Sequence, residues 1–131
     1  MSRVLVDSSI WIEYFRGSKS INASRLNELL DNNQICINDL ILSELLPSLL
    51  HRKEYHVVDL LKSISKIPIV IEWNKIIDFQ TKNIKNGFNN IGIPDLIILQ
   101  NVLQNDLVLY SIDKHFIFLQ KLYKYSLLSP F

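Results

Sequence analysis

Three short apolar runs constrain this chain more than any other feature: residues 3–6, 34–37 and 107–110. Each is too short for a helix and rich in Val, Ile and Leu, so each reads as a strand. The stretches between them carry helical spacing instead. Strands separated by helical patterns imply an α/β fold: three layers, α/β/α, with a mostly parallel central sheet covered on both faces. Residues 1–131 read as a single domain. A chain of this length buries roughly two-thirds of its unfolded surface and builds a core without staples.

The first run stops at a carboxylate and two hydroxyls, Asp7-Ser8-Ser9. A helix over 8–16 follows, with Ile10, Tyr14 and Phe15 at helical spacing, and Gly17 closes it. An acid at the end of a buried strand points into the crevice where open α/β sheets place their ligands. Ser18–Ser20 read as a polar loop, and 22–31 as a helix packed through Leu26, Leu29 and Leu30. Asn38 or Asp39 caps a helix over 40–51 that is apolar nearly all round and is expected to be buried. Pro47 lies inside that pattern and is expected to kink or interrupt it, because it offers no N–H to the Ser43 carbonyl.

A further helix is expected over 54–65, and an edge strand at most over 67–71, which contains Pro68. Residues 73–86 read as a helix with Ile76, Ile77, Phe79, Gln80 and Ile84 on or near its packed face. Pro94 suits the first position of a helix reaching about Asn105. After the 107–110 strand, Ser111-Ile112-Asp113 leads into another helical pattern, and the tail 125–131 allows a last strand without clear alternation.

Composition excludes several classes. Hydrophobic content of 48% is the opposite of what disorder needs. The single Cys36 forms no internal disulfide and, between two Ile, reads as a small buried hydrophobe in a reducing compartment. No run approaches the ~20 apolar residues of a membrane span, and the N-terminus lacks a signal-peptide pattern. The expectation is a cytoplasmic protein with no membrane contact.

Four acids stand out: Asp7, Glu44, Asp95 and Asp113. Each has an ordinary explanation. Asp7 and Asp113 sit where helix caps belong, Asp95 lies in a first helical turn, and Glu44 could face solvent. As a set they mean more. Right-handed crossovers bring Asp7 and Asp113 to one sheet edge, and the helix from Pro94 aims Asp95 at them. Two carboxylates about 5 Å apart repel by about 3 kcal/mol at an effective dielectric of 20. Such a cluster takes up protons or binds a cation. Oxygen ligands favour Mg²⁺ or Mn²⁺ over zinc, and metal-assisted phosphodiester hydrolysis suits the site. With those four set aside, nine acids remain against 14 basic residues, a balance that permits a polyanion around an acidic centre. Arg16, Lys82, Lys85 and Lys114 are candidate phosphate contacts, although a solvated charged face accounts better for any one of them taken alone. Trp11 and Trp73 read as core or interface anchors, and His51 and His56 as solvated.

The segments Val6-Asp7-Ser8-Ser9-Ile10-Trp11, Ser43-Glu44-Leu45-Leu46, Pro94-Asp95-Leu96-Ile97-Ile98 and Leu109-Tyr110-Ser111-Ile112-Asp113 together resemble PIN-domain ribonucleases, more narrowly the VapC toxins of prokaryotic toxin–antitoxin pairs. The resemblance spans essentially the whole chain. It implies a Mg²⁺- or Mn²⁺-dependent endoribonuclease, often acting on structured RNA such as tRNA. It also implies a homodimer and a VapB-type antitoxin that blocks the site. The family's acidic quartet falls on Asp7, Glu44, Asp95 and Asp113, and its small polar residues on Ser8, Ser9 and Ser111. Two departures stand out. His115 takes the place of a further acid found in many members, and on its own reads as a surface histidine of a first helical turn. Pro47 takes a place where small residues are common. The readings from other classes are a catalytically silent PIN-type interaction module and a receiver-like signalling domain. The second wants paired acids after the first strand, and only Asp7 stands there.

Overall fold

The computed structural model describes residues 3–17 and 21–129. The Ser18–Ser20 loop and the last two positions of the tail lie outside the described residues. In chain order the elements are β1 (Val4–Val6), α1 (Ser8–Phe15), α2 (Ile21–Asp31), β2 (Ile35–Ile37), α3 (Asp39–His51), α4 (Tyr55–Ser63), β3 (Ser65–Lys66), α5 (Trp73–Lys85), α6 (Ile93–Asn105), β4 (Val108–Tyr110), α7 (Lys114–Gln120) and β5 (Ser126–Leu128). The strands form one sheet in the order β3-β2-β1-β4-β5, with every pairing parallel.

That order reverses its winding at β1. The chain moves outward through β2 and β3, returns, and moves outward the other way through β4 and β5. Right-handed crossovers then place α1–α4 on one face and α5–α7 on the other. The helix contacts agree: α1 packs on α2 and α3, α3 on α4, and α5 on α6. Sandwiched strands must be apolar on both faces, and β1 and β2 are buried at every position. Register aligns Leu5 with Cys36 on one side and with Leu109 on the other. Cys36 is fully buried, and burial lifts its thiol to about 11, so it is a packing residue and not a nucleophile.

Several local expectations hold. Gly17 ends α1 in the left-handed region, φ +70°, where a side chain would be strained. Asn38 caps α3, its Oδ1 accepting from the Ile41 N–H, while Asp39 pairs instead with Lys66 at 3.0 Å. Trp11 is fully buried against Phe15, and His51 and His56 are exposed.

Others are corrected. Helix α3 runs unbroken through Pro47 and is not buried all round: Ile41, Leu42, Leu45 and Leu49 face the core, while Ser43, Glu44, Pro47 and Ser48 form an exposed stripe. The proline therefore lies on the solvent side, where water can satisfy the carbonyl it leaves without a donor. The edge strand is Ser65–Lys66, not 67–71. The ladder reaches only as far as Ile67, whose N–H donates to the Ile37 carbonyl, because Pro68 has no N–H to continue it. On α5, Ile76 and Asn83 are buried, whereas Ile77 and Ile84 are each 60% exposed. The inward row is spaced 76-79-80-83, and its polar end is satisfied by Gln80 Oε1, which accepts from Asn83 Nδ2 at 3.1 Å. Trp73 is exposed at the start of the same helix, outside the core. Among the described residues no helix is long and apolar enough to cross a membrane.

Candidate metal centre

The crevice opens between β1 and β4, where the winding reverses and side chains at the strand ends face outward from the sheet. Asp7 follows β1, and its N–H donates to the Tyr110 carbonyl at the end of β4. Its side chain makes no cap bond to α1. Both neighbouring hydroxyls go to one of its oxygens: Ser9 Oγ and Ser111 Oγ donate to Asp7 Oδ2 at 2.8 and 2.9 Å. Ser9 Oγ also accepts from the Ile112 N–H at 3.3 Å, and Ser111 Oγ from the Asp113 N–H at 2.9 Å. The two serines thus tie the end of β1 to the turn after β4. Asp7 is only 5% exposed. Burial raises its pKa, opposed by bonds from Ser9, Ser111 and the Ser8 backbone, with the Asp113 charge pushing the same way as burial.

Asp113 caps α7 as expected, its Oδ1 accepting from the His115 N–H at 2.9 Å. Asp95 occupies the first turn of α6, just after Pro94. Its pKa is raised chiefly by burial, with a hydrogen bond from His115 opposing and the charges of Asp113 and Asp7 adding to the rise. Glu44 lies on the exposed stripe of α3. Even so, its pKa is raised, first by desolvation of its carboxyl and then by the charges of Asp7, Asp95 and Asp113. The four acids therefore feel one another across the crevice. Glu44 also lines a cavity of about 410 Å³ with Ile12, Arg16, Ser48 and Arg52, of which Arg52 pairs with Glu54 at 3.7 Å.

His115 is the correction. It is no independent surface residue: its Nδ1 lies 2.9 Å from Asp95 Oδ2 and 3.6 Å from Asp113 Oδ1. One atom from each of Asp95, Asp113 and His115 falls within 4.8 Å of the others, a grouping that could hold a metal ion. The signal was present in the sequence, since the residue after a helix N1 position returns over the cap, but it did not say which acid the ring would meet.

The candidate phosphate contacts separate. Arg16 lines the same cavity as Glu44. Lys114, exposed, follows directly on Asp113. Lys82 is engaged elsewhere, its ammonium 5.1 Å from the Tyr123 ring centre and 3.3 Å from the Leu122 carbonyl. Lys85 is exposed on the last turn of α5.

A family model for the PIN domain matches residues 4–121. The chain belongs to the PIN-domain family. Solved structures with the same fold include VapBC2 from Rickettsia felis bound to a promoter DNA fragment, with a TM-score of 0.73 at 16% identity, covering 96% of this chain and 97% of that one. DNA-bound VapBC from Salmonella typhimurium gives a TM-score of 0.73 at 14% identity over 98% of each chain. FitAcB from Neisseria gonorrhoeae gives 0.66 at 16% identity over 97% of each. No curated protein sequence matches the chain. In that fold the acids anticipated from sequence stand after β1, on α3, in the first turn of α6 and after β4.

The donor set fits a divalent ion. Carboxylates that burial and mutual repulsion push toward protonation are relieved by a bound cation more directly than by any side chain near them. Oxygen donors predominate, as Mg²⁺ and Mn²⁺ require.

Proposed function

We propose that this PIN-domain protein is a divalent-metal-dependent endoribonuclease, the toxin of a pair whose partner is a VapB-type antitoxin. One observation carries the reading: Ser111 joins the Asp7 carboxyl to the Asp113 backbone, and His115 Nδ1 lies 2.9 Å from Asp95 and 3.6 Å from Asp113, so acids of β1, β4 and α6 meet in one crevice. There Glu44 and Asp95, raised first by burial, are raised further by the charges of Asp7 and Asp113. A purely structural use of these acids, as caps or solvated side chains, gives no reason for all four to meet.

Asp7, Glu44, Asp95 and Asp113 would hold Mg²⁺, or Mn²⁺, which when bound supplies charge neutralisation at a phosphate and a water of lowered pKa. The remaining work falls to the chain. Ser9 and Ser111 fix the orientation of Asp7 through its Oδ2. Ser8 supports the same acid from its backbone. Glu44, the most exposed of the four, is placed to orient an attacking water. Arg16, which lines the same cavity as Glu44, and Lys114, which follows Asp113, would contact the phosphate. A homodimer and an antitoxin complex in the cytoplasm complete the reading. The apolar stripe of Trp73, Ile77 and Ile84 exposed on α5 supports a protein contact there.

The test is cleavage of total RNA and of a labelled tRNA pool by the purified protein, with Mg²⁺ or Mn²⁺, with EDTA, and by Asp95→Asn. Discrete cuts that need both the ion and Asp95 support the nuclease and reveal its target. Folded protein that neither cuts RNA nor binds either ion is a silent interaction module.

A further inference from the structure

We propose that His115 Nδ1 is itself a ligand of this centre and gives it a preference for Mn²⁺ over Mg²⁺. The inference rests on the metal-dependent reading above and goes past it, to which ion the centre selects and why.

The backbone at Asp113 leaves the ring little choice. The Asp113 cap accepts the His115 N–H, which fixes where the side chain leaves α7. From there Nδ1 reaches Asp95 Oδ2 at 2.9 Å and lies 3.6 Å from Asp113 Oδ1. In an octahedral site with bonds of about 2.1 Å, adjacent donors are about 3 Å apart and opposite ones about 4.2 Å. The two spacings of Nδ1, 2.9 and 3.6 Å, lie within that range, and all three groups lie within 4.8 Å of one another. Without an ion the 2.9 Å contact is a hydrogen bond; ligation replaces it, with the neutral ring carrying its proton on Nε2 so that Nδ1 offers its lone pair. The three side chains are partly exposed, which leaves a side open for water and a phosphate oxygen.

Donor chemistry then decides the preference. Carboxylate oxygens serve Mg²⁺ and Mn²⁺ alike. An imidazole nitrogen binds first-row transition ions in preference to Mg²⁺, which is hard, keeps its waters and is poorly served by nitrogen. A chain with an acid at this position offers oxygen alone. With His115 it offers a mixed set.

Full-length protein is titrated calorimetrically with Mn²⁺ and, separately, Mg²⁺, for wild type, His115→Asp and His115→Gln. Pulsed electron paramagnetic resonance of the Mn²⁺-bound forms reads directly bound nitrogen. The expected result is a nitrogen coupling in the wild type and none in either variant. The Mn²⁺/Mg²⁺ affinity ratio should also fall by about tenfold or more in His115→Asp. Mn²⁺ bound by the wild type without nitrogen coupling, or a ratio unchanged in His115→Asp, overturns the proposal and leaves the metal-dependent reading standing: the ring then only orients Asp95. Folded wild type that binds neither ion overturns both.

Discussion

Ser111 Oγ donates to Asp7 Oδ2 at 2.9 Å and accepts from the Asp113 N–H at the same distance, so one hydroxyl connects the acids that end β1 and β4. Ser111 and Asp7 are 104 positions apart in the chain, and the parallel pairing of Val6 with Tyr110 brings them together. The hydroxyl serves stability and site geometry at once. Ser111→Ala leaves the buried Asp7 carboxylate short of a donor and the Asp113 N–H short of an acceptor. A loss of about 1–3 kcal/mol is expected, seen as a lower denaturant midpoint with unchanged slope. Metal affinity should fall as well, because Asp7 loses one of the two bonds that aim it.

Asp7→Asn should act in the opposite direction on stability. Burial and the neighbouring Asp113 charge both disfavour the Asp7 carboxylate. A neutral amide of the same shape still accepts the two serine hydroxyls through its oxygen. The metal-free variant is expected to be more stable by about 1 kcal/mol, or about 3–5 °C in thermal melting at this chain length, while cleavage is abolished. A variant that melts well below the wild type would mean that Asp7 serves mainly to join the two strands.

The raised acids also set a pH dependence. Asp7, Glu44 and Asp95 bind protons more tightly folded than unfolded. Stability falls with pH wherever the native state holds more protons than the unfolded one. The contribution of these three is therefore complete below the ordinary carboxylate range near pH 4 and is lost as pH rises through their elevated values. Metal-free protein should melt at progressively lower temperature across that window, against the usual trend for salt-bridged acids. A saturating divalent ion should flatten the slope, because it replaces the protons. Melting curves from pH 4 to 8 with EDTA and with Mn²⁺ measure both effects.

Much of this was legible in the sequence, and the reasons differ by element. The strands at Val4–Val6 and Val108–Tyr110 were visible because a doubly covered parallel strand has no polar face to blur it. Asp7, Asp95 and Asp113 were visible because each stands at a strand end or in a first helical turn, where topology dictates direction. Glu44 was harder. Its helix is apolar enough to look buried throughout, and only tertiary packing decides which side Ser43, Glu44, Pro47 and Ser48 turn to solvent. The β3 strand is two residues long and exposed, so no hydrophobic pattern marks it. His115 was visible as a departure, but its meeting with Asp95 depends on how α6 and α7 lie, which no local spacing encodes. Asn83 and Asn101 are polar residues on inward faces, invisible to a hydrophobic period.

Asn101 matters to the centre through the helices that carry it. Its side chain is 1% exposed on α6. Asn101 Oδ1 accepts from Asn38 Nδ2 at 3.0 Å, and its Nδ2 donates to the Pro68 carbonyl at 2.9 Å. Asn38 is the cap of α3. One amide therefore links the helix that carries Asp95 to the start of the helix that carries Glu44. It also holds the chain at the point where the β3 ladder stops. Asn101→Leu keeps the branched shape, with bulkier methyl groups, but strands a buried amide donor and a carbonyl, at about 1–3 kcal/mol each where water cannot reach them. The expected result is a destabilisation of about 2–4 kcal/mol and weaker divalent-ion binding, with the secondary structure kept. Asn101→Asp keeps the acceptor for Asn38 but sets a carboxylate against the Pro68 carbonyl, so it should recover part of the lost stability as pH falls and the new carboxyl takes up a proton. Chemical denaturation of both variants, paired with calorimetric Mn²⁺ titration, separates the two effects. A stability loss without any change in Mn²⁺ affinity would show that α3 and α6 hold Glu44 and Asp95 in register without this link.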